Sequence, residues 1–362
     1  MKRWEVNIVI ILVIIIILQA CSSSRQATKI PTTIDKADRN IKLTNQNFQT
    51  DISLIFSGCG GYSLQHEGTS ILVDPFISNV QTLLSSYFKK LSHDSIQINK
   101  YVKRIKSMDP SNDGDIDGIF VAHSHYDHLY DVPYFYDQGH LSDDGKVYGH
   151  SSSLNLMKAM LDTIPFKSIT ALKTDNTPSI ESWEKINNFK VLPLKSNHAP
   201  HFLIFKILPW WNVKKPRSKT IKRICQMPEG ENFNFLIEIK EGENKFNIFS
   251  NAGSASNGNK YLPSEKLIKD HPIDLLILCA ANFGNARKYP KKIIHRTKPK
   301  FIMVSHWENF FKPHCEVSKT PMTVPATNIK RFIKKLNKIN GDMGKDEFEI
   351  LMPMPLVGYK FN

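Results

Sequence analysis

A dense group of possible metal ligands follows a short apolar segment in the first half of the chain. The sequence HSHYDH, at residues 123–128, comes directly after the apolar run GIFVA. Alternate residues of an extended segment point the same way, so His123 and His125 can bind one ion. A turn would then bring Asp127 and His128 to a second point. Imidazoles and a carboxylate at this density indicate zinc, with manganese or iron as alternatives; a polar turn with hydrogen-bonded histidines is the structural alternative.

Polar residues recur at the ends of other β-rich segments. Asp74 ends the run ILVD, His198 follows VLPL, and His306 follows FIMVS. Such segments alternate with helical patterns, which predicts a mixed α/β class. The clearest helix is predicted over about 326–340, where one face is apolar and the other basic. Further strands are predicted at 52–57, 70–73, 118–122, 191–194, 233–239, 246–250, 275–278 and 301–305.

These ligands predict hydrolytic chemistry. A dication lowers the pKa of its bound water from about 15.7 to about 7, and the hydroxide would attack a carbonyl or phosphoryl centre. Asp127 is predicted to orient that hydroxide, accept its proton or ligate a second ion. Asp74 is predicted to act from outside the ligand set by fixing a backbone turn or an imidazole. His201, three residues after His198, is predicted to hydrogen-bond the substrate, with a packed or surface histidine as the alternative.

Covalent catalysis and nucleotide binding are not favoured. The chain contains neither a Gly-x-Ser-x-Gly elbow nor a Walker A motif, which are the local patterns expected for a serine hydrolase and a P-loop protein. Metal-dependent hydrolysis of a phosphodiester or related ester, possibly of a lipid, is therefore the leading hypothesis. Hydrolysis of a lactone or amide, including a β-lactam, is the second.

The motifs resemble the metallo-β-lactamase superfamily over roughly residues 52–362. The resemblance rests on ILVDPF around Asp74, on HSHYDH, on PLKSNHAPH around His198 and on FIMVSHWENF around His306. The branch with ascorbate-6-phosphate lactonase and N-acyl-phosphatidylethanolamine phospholipase D has the most similar motifs. The resemblance implies a four-layer αββα sandwich with its site along one edge. It also implies one ion on His123, His125 and His198, and a second on Asp127, His128 and His306.

One turn departs from the family pattern. Residues 250–254 (SNAGS) contain no carboxylate, where the resemblance implies an Asp that bridges two metals. Two dications would then lack one neutralising charge, so we expect one firmly held ion and a second that binds weakly or is absent. The non-enzymatic alternative is a binding protein that has kept the fold and lost turnover.

The N-terminus is predicted to be a targeting segment. A basic start and an apolar run at 6–18 precede Leu-Gln-Ala-Cys21, which resembles a bacterial lipobox. The apolar run is shorter than the roughly 20 residues of a bilayer span. Residues 1–20 are therefore predicted as a lipoprotein signal peptide, 21–50 as a lipidated cysteine with a flexible tether, and 51–362 as the domain; an uncleaved anchor is the alternative. This places the protein in the bacterial cell envelope, on the outer membrane facing the periplasm in a Gram-negative host.

The remaining cysteines do not indicate a scaffold. They show no CxxC spacing, so a zinc ribbon is not predicted. Disulfide pairing in an oxidising compartment and buried free thiols both stay open. The four residues are Cys59, Cys225, Cys279 and Cys315.

The charge favours an anionic partner. The chain has 48 Lys and Arg against 34 Asp and Glu, a net charge of +14, and its 41% of hydrophobic residues excludes a disordered chain. Two acid-free basic runs lie at 206–223, which contains Trp210 and Trp211, and at 287–300. Adjacent tryptophans and lysines suit a membrane interface or an anionic small molecule. A nucleic acid is a less favoured partner, and a solvated face is the structural alternative.

Overall fold

The computed structural model describes most of the chain after residue 33. Several predicted features lie outside the described residues: the signal peptide at 1–20, Cys21, His201 and Cys315. The described residues are 34–43, 48–79, 90–111, 114–173, 178–179, 182–200, 210–217, 219–251, 253, 261–313, 321–325, 327–344 and 347–362.

Fifteen strands and seven α-helices make up the described fold. The strands are β1 Arg39–Ile41, β2 Ile52–Gly58, β3 Gly61–His66, β4 Thr69–Val73, β5 Ile116–Phe120, β6 Leu141–Gly149, β7 Phe166–Ser168, β8 Glu184–Ile186, β9 Phe189–Lys195, β10 Phe233–Glu241, β11 Asn244–Asn251, β12 Leu275–Cys279, β13 Phe301–Ser305, β14 Glu349–Leu351 and β15 Gly358–Phe361. The helices are α1 Ser95–Met108, α2 Tyr126–Leu129, α3 Val132–Asp137, α4 Ser151–Met157, α5 Glu265–Asp270, α6 Lys291–Thr297 and α7 Ile329–Met343.

The strands form two sheets with similar internal order. The first has the order β1-β15-β2-β3-β4-β5-β6-β7, and the second β14-β13-β12-β11-β10-β9-β8. Strands β2, β3 and β4 are antiparallel neighbours, whereas β4, β5, β6 and β7 run parallel. The second sheet repeats this arrangement, with β8 to β11 antiparallel and β11 to β14 parallel. The predicted hairpin around residues 241–244 is the β10–β11 pair.

Three apolar clusters define four layers. One cluster lies between the sheets and joins residues such as Phe56 and Tyr62 of the first sheet to Phe235 and Ile248 of the second. A second cluster joins the outer face of the first sheet to α1, α3 and α4, and a third joins the second sheet to α5, α6 and α7. Both faces of each sheet are therefore covered, as strands with apolar residues on both faces require. The predicted αββα sandwich is confirmed.

Helix α7 shows how the sequence pattern produces an outer layer. Its apolar residues recur at helical spacing and include Phe332 and Leu336, both fully buried against the second sheet. The side chain of Asn328 caps the helix by accepting a hydrogen bond from Arg331 N at 3.0 Å, which satisfies one of the unpaired amides of the first turn. The helix begins three residues later than predicted because this cap, rather than the apolar pattern, sets its start.

Residues before the predicted start of the domain at 51 also pair with the first sheet. Strand β1 lies within the segment predicted as a tether, yet it pairs in parallel with β15. Asp35 precedes it and accepts hydrogen bonds from Met352 N at 3.1 Å and Tyr359 Oη at 2.6 Å. These contacts attach residues 35–41 to the C-terminal strand. No helix within the described ranges is long and apolar enough to cross a bilayer.

The topology brings the polar strand ends to one edge. Parallel neighbours have their carboxyl ends at the same side of a sheet, and β4 with β5, and β11 with β12 and β13, are such neighbours. Asp74 follows β4, His123 follows β5, and His306 follows β13. The two sheets thus deliver these side chains to a common edge of the sandwich.

Gly61 at the start of β3 is predicted to be required for the placement of Asp74. A Cβ there would clash with Ser57 Oγ and lie 2.5 Å from the Asp74 carbonyl oxygen. We expect Gly61→Ala to cost about 1–3 kcal/mol of unfolding free energy through overpacking. Gly341→Ala is the control, since an added Cβ in α7 meets nothing within 4 Å and should stabilise the helix by about 1 kcal/mol. Urea unfolding measures both, and an unchanged midpoint for Gly61→Ala would contradict the close approach.

Candidate metal centre

The loop after β5 is held from two sides before it presents its histidines. On one side, Ala122 N donates to Asp74 Oδ1 at 2.7 Å. On the other, Phe233 N donates to the Ala122 carbonyl at 2.9 Å, and Ser124 N donates to the Glu229 carbonyl at 2.8 Å. The loop therefore takes its shape from both halves of the fold, which fixes the direction of the side chains that follow.

Three imidazoles converge at the first position. The ligand nitrogens of His123, His125 and His198 all lie within 4.8 Å of one another. His123 Nε2 and His125 Nδ1 are 3.0 Å apart, and the ring of His198 lies 5.2 Å and 5.1 Å from theirs, centroid to centroid. His198 Nδ1 is 2.6 Å from the Ala199 carbonyl oxygen. Because a carbonyl can only accept, Nδ1 carries the proton and Nε2 offers the lone pair to an ion.

The environment of His123 favours the ligating form. Burial lowers the pKa of His123 well below its ordinary value, and the neighbouring charges of His128, His125, His198 and His306 lower it further. The ring is therefore neutral at physiological pH, as a metal ligand must be. Its Nδ1 atom has no hydrogen-bond partner among the described residues.

A second group lies beside the first and contains a residue that the motif did not predict. Ligand atoms of Cys59, Asp127 and His306 lie within 4.8 Å of one another. Cys59 Sγ is 3.2 Å from His306 Nδ1 and 3.7 Å from Asp127 Oδ2. Burial raises the pKa of the Cys59 thiol well above its ordinary value, and the charges of Asp127 and Glu308 add to that shift.

His128 lies between the two groups. Its ring centroid is 4.1 Å from that of His123 and 5.2 Å from that of His306. His128 Nδ1 is 3.2 Å from Asp74 Oδ2, and His128 Nε2 is 3.6 Å from Asp127 Oδ2. Burial lowers the pKa of His128, but the charges of Asp74 and Asp127 outweigh it, so the net shift is upward. Asp74 thus contacts both the loop backbone and this imidazole and stands outside both ligand groups.

Two of the possible ligand side chains are partly exposed to solvent. The side chain of Asp127 is 14% exposed and His198 is partly buried. The remaining site histidines are buried almost completely. Among the described residues, the exposed side of the site is therefore that of Asp127 and His198.

The turn after β11 approaches the site through its backbone. Asn251 is buried and donates through Nδ2 to Asn234 Oδ1 at 2.6 Å. A Cβ on Gly253 would lie 3.3 Å from His123 Nδ1, 3.4 Å from Asp74 Oδ2 and only 2.7 Å from the Ala122 Cβ. This turn brings glycine rather than a carboxylate to the histidines, and its tight packing leaves no room for a side chain at position 253.

Cys59 and Glu308 belong to the site although no sequence motif predicts them. Cys59 lies in the turn between β2 and β3 at φ 54°, and its N–H donates to the Glu308 carboxylate. Burial raises the pKa of Glu308 to about 7, although backbone hydrogen bonds, that from Cys59 first, lower it. The only available signal was a lone cysteine in a glycine-rich turn, which is weak until the turn is known to meet His306. Cys59, Cys225 and Cys279 are all free thiols.

A third group of ligand-type residues has a structural role. His66, Glu67 and Glu241 lie close together at the far end of β3 from Gly61. The Glu241 carboxylate already accepts hydrogen bonds from Gln49 N at 2.6 Å and Thr50 N at 3.1 Å. It ties the segment before β2 to the hairpin of β10 and β11, so we assign no metal to this group.

The first basic run is attached close to the metal loop. Ser124, between two ligands, hydrogen-bonds Ser153 of α4 at 3.0 Å through the two hydroxyl oxygens. The neighbouring Ser152 accepts from Val213 N at 3.0 Å. Two tryptophans at 210–211 lie just before Val213 and are 59% and 52% exposed. The exposed indoles therefore belong to a segment that is connected to the histidine loop by hydrogen bonds through α4.

The segment just before the second basic run contacts the loop of His198. Asn285 Nδ2, just before the run, donates to the Pro200 carbonyl at 2.9 Å. Beyond it, α6 and α7 form a concave surface that is strongly positive. Its basic lining includes Lys288, Lys291, Lys292, Arg296 and Lys335.

The residues present fit a metal centre. Three neutral imidazoles with an accessible side suffice for one zinc ion, and a thiolate, a carboxylate and an imidazole are ligand types that zinc and iron also accept. Asp127 Oδ1 has no hydrogen-bond partner in the described part of the chain, which leaves it available as a ligand. His201 lies outside the described residues, so its predicted contact with substrate stays a prediction.

Comparison with known proteins points to the fold. No family model matches the chain, and no curated protein matches it significantly. Igni18, a metallo hydrolase from the archaeon Ignicoccus hospitalis, superposes with a TM-score of 0.51 at 11% identity over 86% of this chain and 99% of that chain. At this identity the likeness shows a shared fold.

Two further solved structures are more distant. The metallo-β-lactamase fold protein YhfI from Bacillus subtilis gives a TM-score of 0.45 at 13% identity, covering 86% of this chain and 100% of that chain. CmlA, a diiron β-hydroxylase from Streptomyces venezuelae, gives 0.48 at 12% identity over 87% of this chain. This chain covers only 54% of the length of CmlA.

Asp74 is predicted to strengthen metal binding without touching the metal. In Asp74→Asn the negative charge beside His128 Nδ1 is lost, and outer-shell partners of this kind typically contribute 10–100-fold to affinity. We expect zinc affinity, measured by competition with a chromophoric chelator, to fall by that factor. Asp109→Asn is the matched control, since Asp109 is also buried and accepts backbone hydrogen bonds. Equal affinity in both variants would contradict the role given to Asp74.

Proposed function

We propose that this protein is a metal-dependent hydrolase that cleaves a phosphodiester or a related ester in an anionic substrate. The observation that carries the proposal is the convergence of two ligand groups at one accessible edge of the αββα sandwich. Zinc is the proposed metal, as one or two ions, with manganese and iron as alternatives. The metallo hydrolase Igni18 shares the fold, which supports the class of reaction. The substrate is inferred from the residues of this chain alone.

The chain's own residues have separable roles in such a reaction. A bound dication supplies Lewis acidity and lowers the pKa of a bound water. His123, His125 and His198 hold it as neutral donors, and His198 is the ligand nearest the opening. Asp127 combines ligand character with exposure, so it is placed to orient a water and to accept a proton from it. The hydrogen bond between Ala122 N and Asp74 Oδ1 holds the start of the loop that carries His123, His125 and Asp127.

Two basic segments that connect to the loops of the site support an anionic substrate. The run that contains the exposed tryptophans joins the histidine loop through α4, and the second run joins the loop of His198 through Asn285. Cations on both segments favour the approach of a negatively charged substrate. A phosphate ester combines that charge with a centre that an activated water can attack.

A membrane lipid is the proposed source of that phosphate ester. Exposed indoles next to lysines lie at headgroup depth in membrane interfaces. Lipidation of Cys21 after removal of residues 1–20 would keep the enzyme at the bacterial envelope, facing the periplasm from the outer membrane in a Gram-negative host. The lipobox-like sequence around Cys21 supports this anchoring.

An assay of full-length protein against soluble and lipid phosphodiesters tests the proposal. Zinc- or manganese-loaded protein should hydrolyse at least one of them, and His123→Ala/His125→Ala should lose more than about 1,000-fold of that rate, since the activated water is lost with the ion. His140→Ala is the control, because His140 lies before β6 and outside both ligand groups.

The outcomes of this assay separate the rival functions. Ring opening of lactones or β-lactams without phosphodiester cleavage would overturn the proposed substrate class. Equal rates for the double variant and the unaltered protein would overturn the metal-dependent mechanism. Metal binding without turnover of any ester or amide would favour the binding protein.

A further inference from the structure

Cys59 is built into the site by its backbone. Its carbonyl accepts a hydrogen bond from His306 N at 2.7 Å, and its N–H donates to the carboxylate of Glu308. These two bonds attach the β2–β3 turn of the first sheet to the residues that follow β13 of the second. The turn holds Cys59 at φ 54°, a backbone conformation that costs free energy for a residue other than glycine. The position of the sulfur is thus determined by the same residues that position His306.

The sulfur atom has polar neighbours in addition to the apolar cluster in which Cys59 packs. A buried free cysteine ordinarily behaves as a small apolar side chain. Cys59 is fully buried, yet its Sγ lies 3.2 Å from His306 Nδ1 and 3.7 Å from Asp127 Oδ2. A thiol, an imidazole and a carboxylate whose ligand atoms all lie within 4.8 Å of one another form three sides of a coordination site.

The charge balance of the ligand set favours a thiolate at position 59. The turn at 250–254 lacks a carboxylate, and Gly253 lies where a side chain would collide with Ala122. The first ion would be held by three neutral imidazoles. Without a further anionic ligand, Asp127 would be the single negatively charged ligand for two dications. We infer that the Cys59 thiolate is a ligand of a second metal ion, together with Asp127 and His306, and supplies the negative charge that the turn lacks. This inference rests on the proposed metal dependence, but it is independent of the proposed substrate.

The binding step is a simple exchange of a proton for a metal. The S–H bond of Cys59 breaks heterolytically, its proton passes to solvent, and the sulfur lone pair forms the bond to the ion, so no oxidation occurs. A soft thiolate favours zinc or iron over manganese and magnesium. The second position is therefore expected to discriminate against hard cations more strongly than the three-histidine position.

X-ray absorption of the zinc-loaded full chain tests the inference directly. The unaltered protein should bind two zinc ions and show a sulfur shell at about 2.3 Å. Cys59→Ser should lose that shell and bind the second ion more than about 100-fold more weakly, since loss of a ligand should exceed the 10–100-fold cost of losing an outer-shell partner. Cys225→Ser is the matched control and should keep both properties, because Cys225 lies outside the ligand groups.

A carboxylate variant separates charge from sulfur. Cys59→Asp should recover binding of the second ion while the sulfur shell stays absent. If Cys59→Ser does not fold, the spectra of the unaltered protein and Cys225→Ser still decide the question. Two zinc ions surrounded by nitrogen and oxygen alone would overturn the role of Cys59 and leave the proposed function standing. A sulfur shell without hydrolysis of any ester would do the reverse, and a chain that binds no metal would overturn both.

Discussion

The site depends on a single buried carboxylate. Asp74 accepts a hydrogen bond from Ala122 N through one oxygen and faces His128 Nδ1 with the other. The first contact fixes where the histidine loop leaves β5, and the second orients the imidazole that separates the two ligand groups. Burying this charge costs free energy unless it is paired in this way. The contacts that offset this cost also hold the loop and His128 in place.

The positions of the ligands follow from the topology of the two sheets. Each sheet changes from antiparallel to parallel pairing, and the carboxyl ends of its parallel strands face the same edge. Since the sheets are packed face to face, the ends of β5 and β13 can share one site although they are distant in sequence. The turn that carries Cys59 then closes the edge by hydrogen bonding to the segment after β13. The same hydrogen bonds therefore join the two sheets and position Cys59 beside His306.

Much of this could be predicted from the chain alone. Apolar runs predicted the main strands, and the helical spacing of Phe332 and Leu336 predicted the last helix. The HSHYDH motif predicted side chains that the structure brings into two groups of possible metal ligands. The small edge strand β1 could not be predicted, since its order comes from pairing with the C-terminal strand. Cys59 could not be predicted either, because a lone cysteine acquires meaning only when folding places it against His306 and Asp127. Backbone contacts between distant segments are not visible in local sequence patterns.

We propose that two metal ions bind in adjacent ligand groups that differ in kind. Anomalous X-ray diffraction at the zinc edge, from crystals of protein purified without chelator and supplied with zinc, would locate both ions. Two peaks are expected, one surrounded by His123, His125 and His198 and the other by Cys59, Asp127 and His306. A single peak, or a second one that Cys59 does not contact, would contradict this assignment.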